Sequence, residues 1–260
     1  MECITSAQNA KVKALRKCMQ NKKYRQQMGL FVVEGEKMVK EAFTDGMAVD
    51  TIFLRRDLAG KLNGLPEEKC VLVTEQVMRA ISDTVTPQGV VASLYMPEAD
   101  LASVADKENA LLLLCENVSD PGNLGTLVRC ADAAGADGVI FCGCADLYNP
   151  KTVRATMSSL YHVPVAVQRD AAGTVDWLRE RGFVTCAAAL GAQQTPYETD
   201  FTGKTVLCVG NEANGLTEGL LQRCSHRVKI PMPGRAESLN VACAAAVLLY
   251  EVVRQRINEK

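Results

Sequence analysis

The chain has 260 residues, of which 48% are apolar, enough to bury a substantial core in one large domain or two modest ones. That composition excludes collagen-like and disordered classes, and a formal net charge of −1 excludes binding of nucleic acid by bulk charge. Any such binding has to rest on a local patch, and residues 1–25 supply one: Lys11, Lys13, Arg16, Lys17, Lys22, Lys23 and Arg25 stand against Glu2 alone.

In chain order, "NAKVKALRKCMQNKKYRQQ" spaces Val12, Leu15 and Met19 at helical intervals with cations between them and predicts one helix. The run "GLFVVEGE" predicts a strand and "KMVKEAFTDG" a helix ending at Gly46. Strands follow at "VDTIFLR" and "KCVLVT", then a helix across "EQVMRAIS" and a strand at "GVVASLYM". These make a small α/β domain over residues 1–97. The polar stretch at 98–109, preceded by Pro97 and without a strong period, reads as a linker.

A second domain, 110–260, opens with "ALLLLCEN", an unbroken apolar run expected of a strand covered on both faces. Helix "NLGTLVRCADAAGA", strand "GVIFCG", helix "PKTVRATMSSL", strand "VPVAV", helix "GTVDWLRERG" and strands "FVTCAAA" and "TVLCVG" follow. Helix "GLTEGLLQRC", strand "HRVKIP" and a long Ala-rich helix complete the chain. This alternation predicts an α/β fold with a mostly parallel sheet, in which ligands bind beyond the carboxyl ends of the strands. Three polar, glycine-bearing loops fall there: "NVSDPGNLG", "GNEANG" and "PMPGRAESLN".

Other chemistries lack their residues. "GNLGTLVR" does not have the G-x-G-x-x-G spacing of a dinucleotide loop, "GKT" at 203–205 precedes a strand where a phosphate loop must follow one, and no G-x-S-x-G elbow occurs. The eleven cysteines contain no CxxC pair, and several lie inside apolar runs, so reduced thiols are expected and no metal. The N-terminus lacks the apolar core of a signal peptide and no apolar run is long enough to span a bilayer, so a soluble, cytoplasmic protein is expected.

Taken singly, the polar residues of the three loops have ordinary readings. Asn123 could be a helix N-cap, Arg129 a solvated helical cation, Glu212 a first-turn acid, and Ser238 and Asn240 caps of the last helix. Five such residues at strand-to-helix loops of one sheet make a common site the stronger reading.

"DPGNLGTLVRCADAAGADGV", "VLCVGNEANGL" and "VKIPMPGRAESLNVACAAAVLLYE" resemble, in order, the three motifs of the SpoU (TrmH-type) RNA ribose 2′-O-methyltransferases of the SPOUT superfamily. The first segment resembles the RNA-binding substrate domain of the same family. The resemblance implies a C-terminal domain tied in a deep trefoil knot, an exception to the rule against threading. It implies S-adenosylmethionine enclosed by Gly210, Ile230 and Leu239, and a bulky residue at Gly210 is expected to exclude that cofactor while leaving the fold intact. It also implies a catalytic Arg129 oriented with the substrate by Asn123, Glu212, Ser238 and Asn240. The substrate would be a ribose 2′-hydroxyl of ribosomal or transfer RNA, held at its phosphates by Lys11, Lys13, Arg16, Lys17, Lys22 and Lys23. A homodimer through the C-terminal domain is implied as well. Ala213 departs from the pattern, since many members carry glycine after the glutamate. The alternative is a non-catalytic RNA-binding or ribosome-assembly factor on the same fold.

Overall fold

The computed structural model describes residues 2–60 and 64–257. They form two compact units, Met1–Pro97 with Asp146–Tyr161, and Glu98–Ala145 with His162–Lys260.

The first unit begins with β1 (Cys3–Ile4) and α1 (Ala10–Gln20). Asn9 caps α1 by accepting from the Lys11 N–H at 2.9 Å, and the helix buries Val12, Leu15 and Cys18 along one face. The single helix expected over these cations is in fact two. Asn21 adopts an extended conformation (φ −126°, ψ 108°), donates its N–H to the Lys17 carbonyl, and accepts from Tyr24 N–H to start α2 (Lys22–Met28). One asparagine thus ends one helix and begins the next.

There follow β2 (Leu30–Glu34), α3 (Glu36–Thr44), β3 (Val49–Arg55), β4 (Cys70–Val73), α4 (Glu75–Ala80) and β5 (Val90–Tyr95). The sheet runs β1-β4-β3-β5-β2, parallel through β1, β4 and β3 and antiparallel on either side of β5. The segment Asp146–Tyr161, expected within the second domain, packs in this unit instead. Arg25 is buried and paired with Asp146, and the Phe31 and Tyr148 rings lie 5.0 Å apart. Arg25 therefore does not belong to the surface charge with which the sequence groups it.

In the second unit the stretch expected as a linker contains α5 (Leu101–Ala105), whose Val104 and Ala105 enter the core. Next come β6 (Leu111–Glu116), α6 (Pro121–Ala133) and β7 (Gly138–Cys142). The helix Pro150–Thr156 of the first unit is α7. β8 (Val165–Gln168), α8 (Ala171–Arg179), β9 (Val184–Ala188), β10 (Thr205–Val209), α9 (Glu218–Leu221), β11 (His226–Val228) and α10 (Val241–Ile257) complete it. Every pairing in the sheet, ordered β11-β9-β10-β6-β7-β8, is parallel. β6 is buried along its whole length, as its unbroken apolar run predicts. The chain steps outward through β7 and β8, then returns to the other side of β6, and that change of direction opens a crevice at the carboxyl ends of the strands.

All eleven cysteines are free thiols. Burial pushes those of Cys142 and Cys186 up to about 12, so they behave as small apolar side chains.

Candidate active site

Three loops of the second unit, those leaving β9, β10 and β11, wall a cavity of about 680 Å³. Gly210, Ile230 and Leu239 all stand on that wall, as do Glu212, Ser238 and Asn240. Its charged side chains are Glu212, Glu237 and Lys229, two carboxylates and one ammonium, set among apolar groups such as Val209 and Leu216.

The β10–α9 loop has a tight, self-bonded shape. Asn211 and Gly215 exchange backbone hydrogen bonds, each of 2.9 Å, and Gly215 takes the positive φ of 68° that closes the turn. Asn211 Oδ1 accepts the N–H groups of Ala213 and Asn214 at 2.9 and 3.1 Å. Ala213 is not among the residues of positive φ, so alanine fits where the resembling sequences place glycine. Gly210, in contrast, has no room for a side chain, because a Cβ there would overlap the backbone of Gly215 and Leu216. The expectation that a bulky residue at Gly210 leaves the fold intact is therefore corrected: it would force the loop apart.

Asp120, not Asn123, caps α6, accepting the Asn123 N–H at 2.8 Å with Pro121 in the first helical position. Asn123, in the first turn, is then free to point its amide elsewhere. Its Nδ2 donates to Glu212 Oε1 and its Oδ1 accepts from Asn240 Nδ2, both at 2.9 Å. Asn240 Oδ1 caps α10 through Ala242 N–H at 2.9 Å. Glu212 also accepts from Ser119 and from the Asp120 N–H at 3.4 to 3.5 Å. Partial burial is the largest single influence on this carboxyl and acts upward. The Asn123 amide and the N–H groups of Glu212, Asp120 and Ser119 together outweigh it and hold the group below the usual carboxylate range.

One chain of hydrogen bonds thus joins Glu212, Asn123 and Asn240, one residue from each motif, and Ser238 lies on the same cavity wall. Arg129 is not brought to it. Six residues beyond Asn123 on a helix of 3.6 residues per turn, it lies about 240° further round and is exposed. Among the described residues it makes no hydrogen bond or ion pair with Asn123, Glu212 or Asn240, although the resemblance groups them. Sequence reasoning missed Glu116, Asn117, Ser119 and Asn211, which hold the loops. They lie inside or next to the quoted motifs, but only their long-range partners reveal the task.

Of the six cations, all are exposed. Lys13, Arg16 and Lys17 border one shallow surface depression of about 360 Å³ with Gln20 and Asn21. Lys17 Nζ sits 4.4 Å over the Tyr24 ring, and Lys11 is paired with Glu2 at 2.7 Å. Lys22 and Lys23 open α2.

Comparison with known proteins identifies the family. The SpoU rRNA Methylase family matches residues 110–250 and an MRM3-like substrate binding domain matches residues 9–92. The 23S rRNA (guanosine(2553)-2'-O)-methyltransferase RlmP of Bacillus subtilis is 38% identical over 97% of this chain and 99% of its own length. The 23S rRNA (uridine(2479)-2'-O)-methyltransferase of Streptomyces viridochromogenes is 34% identical over 98% of this chain and 93% of its own. An AdoMet-bound rRNA methyltransferase from Sinorhizobium meliloti superposes with a TM-score of 0.88 at 32% identity, covering 97% of both chains. The SpoU methyltransferase AviRb from Streptomyces viridochromogenes, in complex with AdoMet, superposes with a TM-score of 0.86 at 30% identity over 96% of this chain and 99% of its own. With more than half its length matched by the family and a relative alike from end to end, this chain belongs to the SpoU rRNA methylase family.

Proposed function

We infer that this chain transfers the methyl group of S-adenosylmethionine to a ribose 2′-hydroxyl of ribosomal RNA. The observation that carries the reading is the cavity at the carboxyl ends of β9, β10 and β11, with one residue of each motif in a single hydrogen-bond chain beside it. Its volume lies within the usual range for small-molecule sites. The cofactor carries two positive groups, sulfonium and ammonium, and one carboxylate; the wall offers the opposite set, Glu212 and Glu237 against Lys229. Gly210, Ile230 and Leu239 would hold its adenosine, and the two carboxylates its positive end.

When bound, the cofactor supplies an already activated methyl, so the protein has to align the ribose oxygen and help it lose a proton. Asn123, Glu212 and Asn240 form a prearranged polar frame for that alignment, with Ser238 beside it. Arg129 is a poor general base because guanidinium keeps its proton. Its role here is to hold the neighbouring phosphate and stabilise negative charge developing on the ribose oxygen. The six cations of α1 and α2 bind RNA phosphates, which position a substrate without reading its sequence.

The reading includes a homodimer through the second unit and a cytoplasmic protein. Support for the dimer comes from α10, which packs against α6 and leaves Val247 and Tyr250 37% and 53% exposed, the Tyr250 hydroxyl reaching the Ala133 carbonyl at the end of α6. Among the described residues, no helix is long and apolar enough to cross a membrane.

The test combines the purified protein with methyl-labelled S-adenosylmethionine and ribosomal RNA. Label retained in alkali-resistant dinucleotides is expected. Arg129→Ala should keep cofactor affinity and lose most transfer, on the order of a hundredfold, as for other groups acting on developing charge. Arg129→Lys should rescue poorly. Near wild-type single-turnover transfer by Arg129→Ala would return the arginine to an ordinary helical cation.

A further inference from the structure

Two consecutive residues at the end of β6 hold both ends of the β10–α9 loop. Thr217 donates its N–H to Glu116 Oε2 at 2.7 Å and its hydroxyl to Oε1 at 2.8 Å. Asn211 Nδ2 donates to the Asn117 carbonyl at 2.9 Å. Asn117 is itself fixed, since its N–H donates to the Cys142 carbonyl at 2.8 Å and its φ is 56°, a conformation that costs a non-glycine residue free energy.

Burial does not set the shape of this loop, because residues 212–215 are exposed. Its own turn bonds, the bonds that Glu212 accepts from Asn123, Ser119 and Asp120, and these anchors are what shape it. Glu116 is the anchor whose chemistry asks for an explanation. It is only 6% exposed, and no cation pairs with it among the described residues. A buried carboxylate is costly unless well bonded, and both of its hydrogen bonds come from Thr217. A carboxylate accepts from the N–H and the hydroxyl together, one on each oxygen and both charge-assisted; glutamine has one acceptor oxygen for the N–H and would have to reverse the second bond, donating its NH₂ to the Thr217 hydroxyl, so that both bonds lose their charge assistance.

We propose that Glu116 is a positioning residue for the cofactor cavity. Through Thr217 it fixes the backbone from Gly210 to Leu216, a wall of that cavity, in the shape that receives S-adenosylmethionine. The inference rests on the cofactor reading above.

Calorimetric titration with S-adenosylmethionine and amide hydrogen exchange, on the full chain, test it together. Glu116→Gln and Thr217→Val should each weaken binding by about tenfold, equivalent to ~1.4 kcal/mol and typical of losing one charge-assisted hydrogen bond. Thr217→Ser keeps both donors and should rescue. Because both changes act on the contact between Glu116 and the Thr217 hydroxyl, the double variant should lose less than the sum of the two single ones, although Thr217→Val also removes the hydroxyl that caps α9 through Leu220 N–H. In Glu116→Gln the amides of residues 211–216 should exchange faster while those of Leu112–Leu114 stay protected, a pattern that a merely structural residue would not give. Should Glu116→Gln fail to fold, Thr217→Val leaves the carboxylate in place and carries the test. Wild-type affinity in Thr217→Val, or protection lost equally across the sheet, would overturn the proposal. Wild-type protein that binds no S-adenosylmethionine, while Glu116→Gln still loosens residues 211–216, would overturn it through the cofactor reading alone.

Discussion

Asn240 Nδ2 donates to Asn123 Oδ1 at 2.9 Å across 117 residues of sequence. The same Asn123 gives its Nδ2 to Glu212, so one amide ties the loop before α10 to the loop after β10. An amide is the side chain that can do this, because it presents an acceptor to one neighbour and a donor to the other.

Asn123→Asp tests that use. Aspartate is nearly the same shape and can still accept from Asn240, but it cannot donate to Glu212 and sets a like charge beside it. Affinity for S-adenosylmethionine or kcat/KM should fall by about ten- to a hundredfold, and Asn123→Ala should be the milder change, since it removes the bonds without adding repulsion. Equal effects from the two substitutions, measured by calorimetry and methyl transfer, would mean that the donor to Glu212 is unimportant.

The acid limb of stability follows from Glu212. Its folded pKa lies below the unfolded value, so the stability it contributes is present above the ordinary carboxylate range and is lost as pH falls through the lower folded pKa. Replacing Asn123 by Ala removes the first of the lowering influences while burial, the largest and opposite one, remains. The Glu212 titration, followed by carboxyl ¹³C shifts, should therefore move to higher pH in Asn123→Ala. An unmoved midpoint would assign the low pKa to the backbone N–H groups instead.

Much of the fold can be read from the sequence because its signals are local. The run "LLLLCE" and the strand-helix alternation lead to the parallel sheet, and the polar loops fall at its carboxyl edge, where the cavity is. What could not be read depends on partners far along the chain. "PKTVRATM" announces a helix, but nothing local says that it packs beside β2 in the first unit, where the buried Arg25 awaits Asp146. Glu116 looks like the last residue of a strand until Thr217, 101 residues later, supplies its two donors. The break at Asn21 was hidden because asparagine between helical cations reads as a solvated position, while its extended backbone ends one helix and starts another.

Ser158 stores strain that can be relieved. Its φ is 76°, it is 2% exposed, and its hydroxyl has no hydrogen-bond partner among the described residues. Left-handed backbone at a non-glycine residue and a buried unpaired hydroxyl each cost on the order of 1 kcal/mol or more, against about 1 kcal/mol of extra backbone entropy lost by glycine. Ser158→Gly should then stabilise the protein by ~1–2 kcal/mol and raise Tm by ~2–6 °C. Ser158→Ala removes the hydroxyl alone and should give less. A lower Tm for Ser158→Gly would mean that the hydroxyl is bonded in solution.

The cations of α1 and α2 make a prediction about salt. Lys13, Arg16 and Lys17 border one depression and are exposed, whereas Lys11 is already paired with Glu2. If the first three meet phosphate, each contact releases counterions. The slope of log affinity against log salt should become shallower by ~0.7–0.9 for each one neutralised. Replacing all three by glutamine should reduce the slope by ~2–3 and weaken RNA binding most at low salt. Cofactor affinity should not change, because Gly210, Ile230 and Leu239 stand on the wall of a cavity formed wholly by the second unit. Turnover at saturating RNA should survive, since phosphates contacted away from the reacting ribose contribute binding equally before and in the transition state. Filter binding at several salt concentrations measures the slope. A triple variant with the wild-type slope would leave these residues as an ordinary solvated helix face, and the RNA contact would have to be sought on another surface of the molecule.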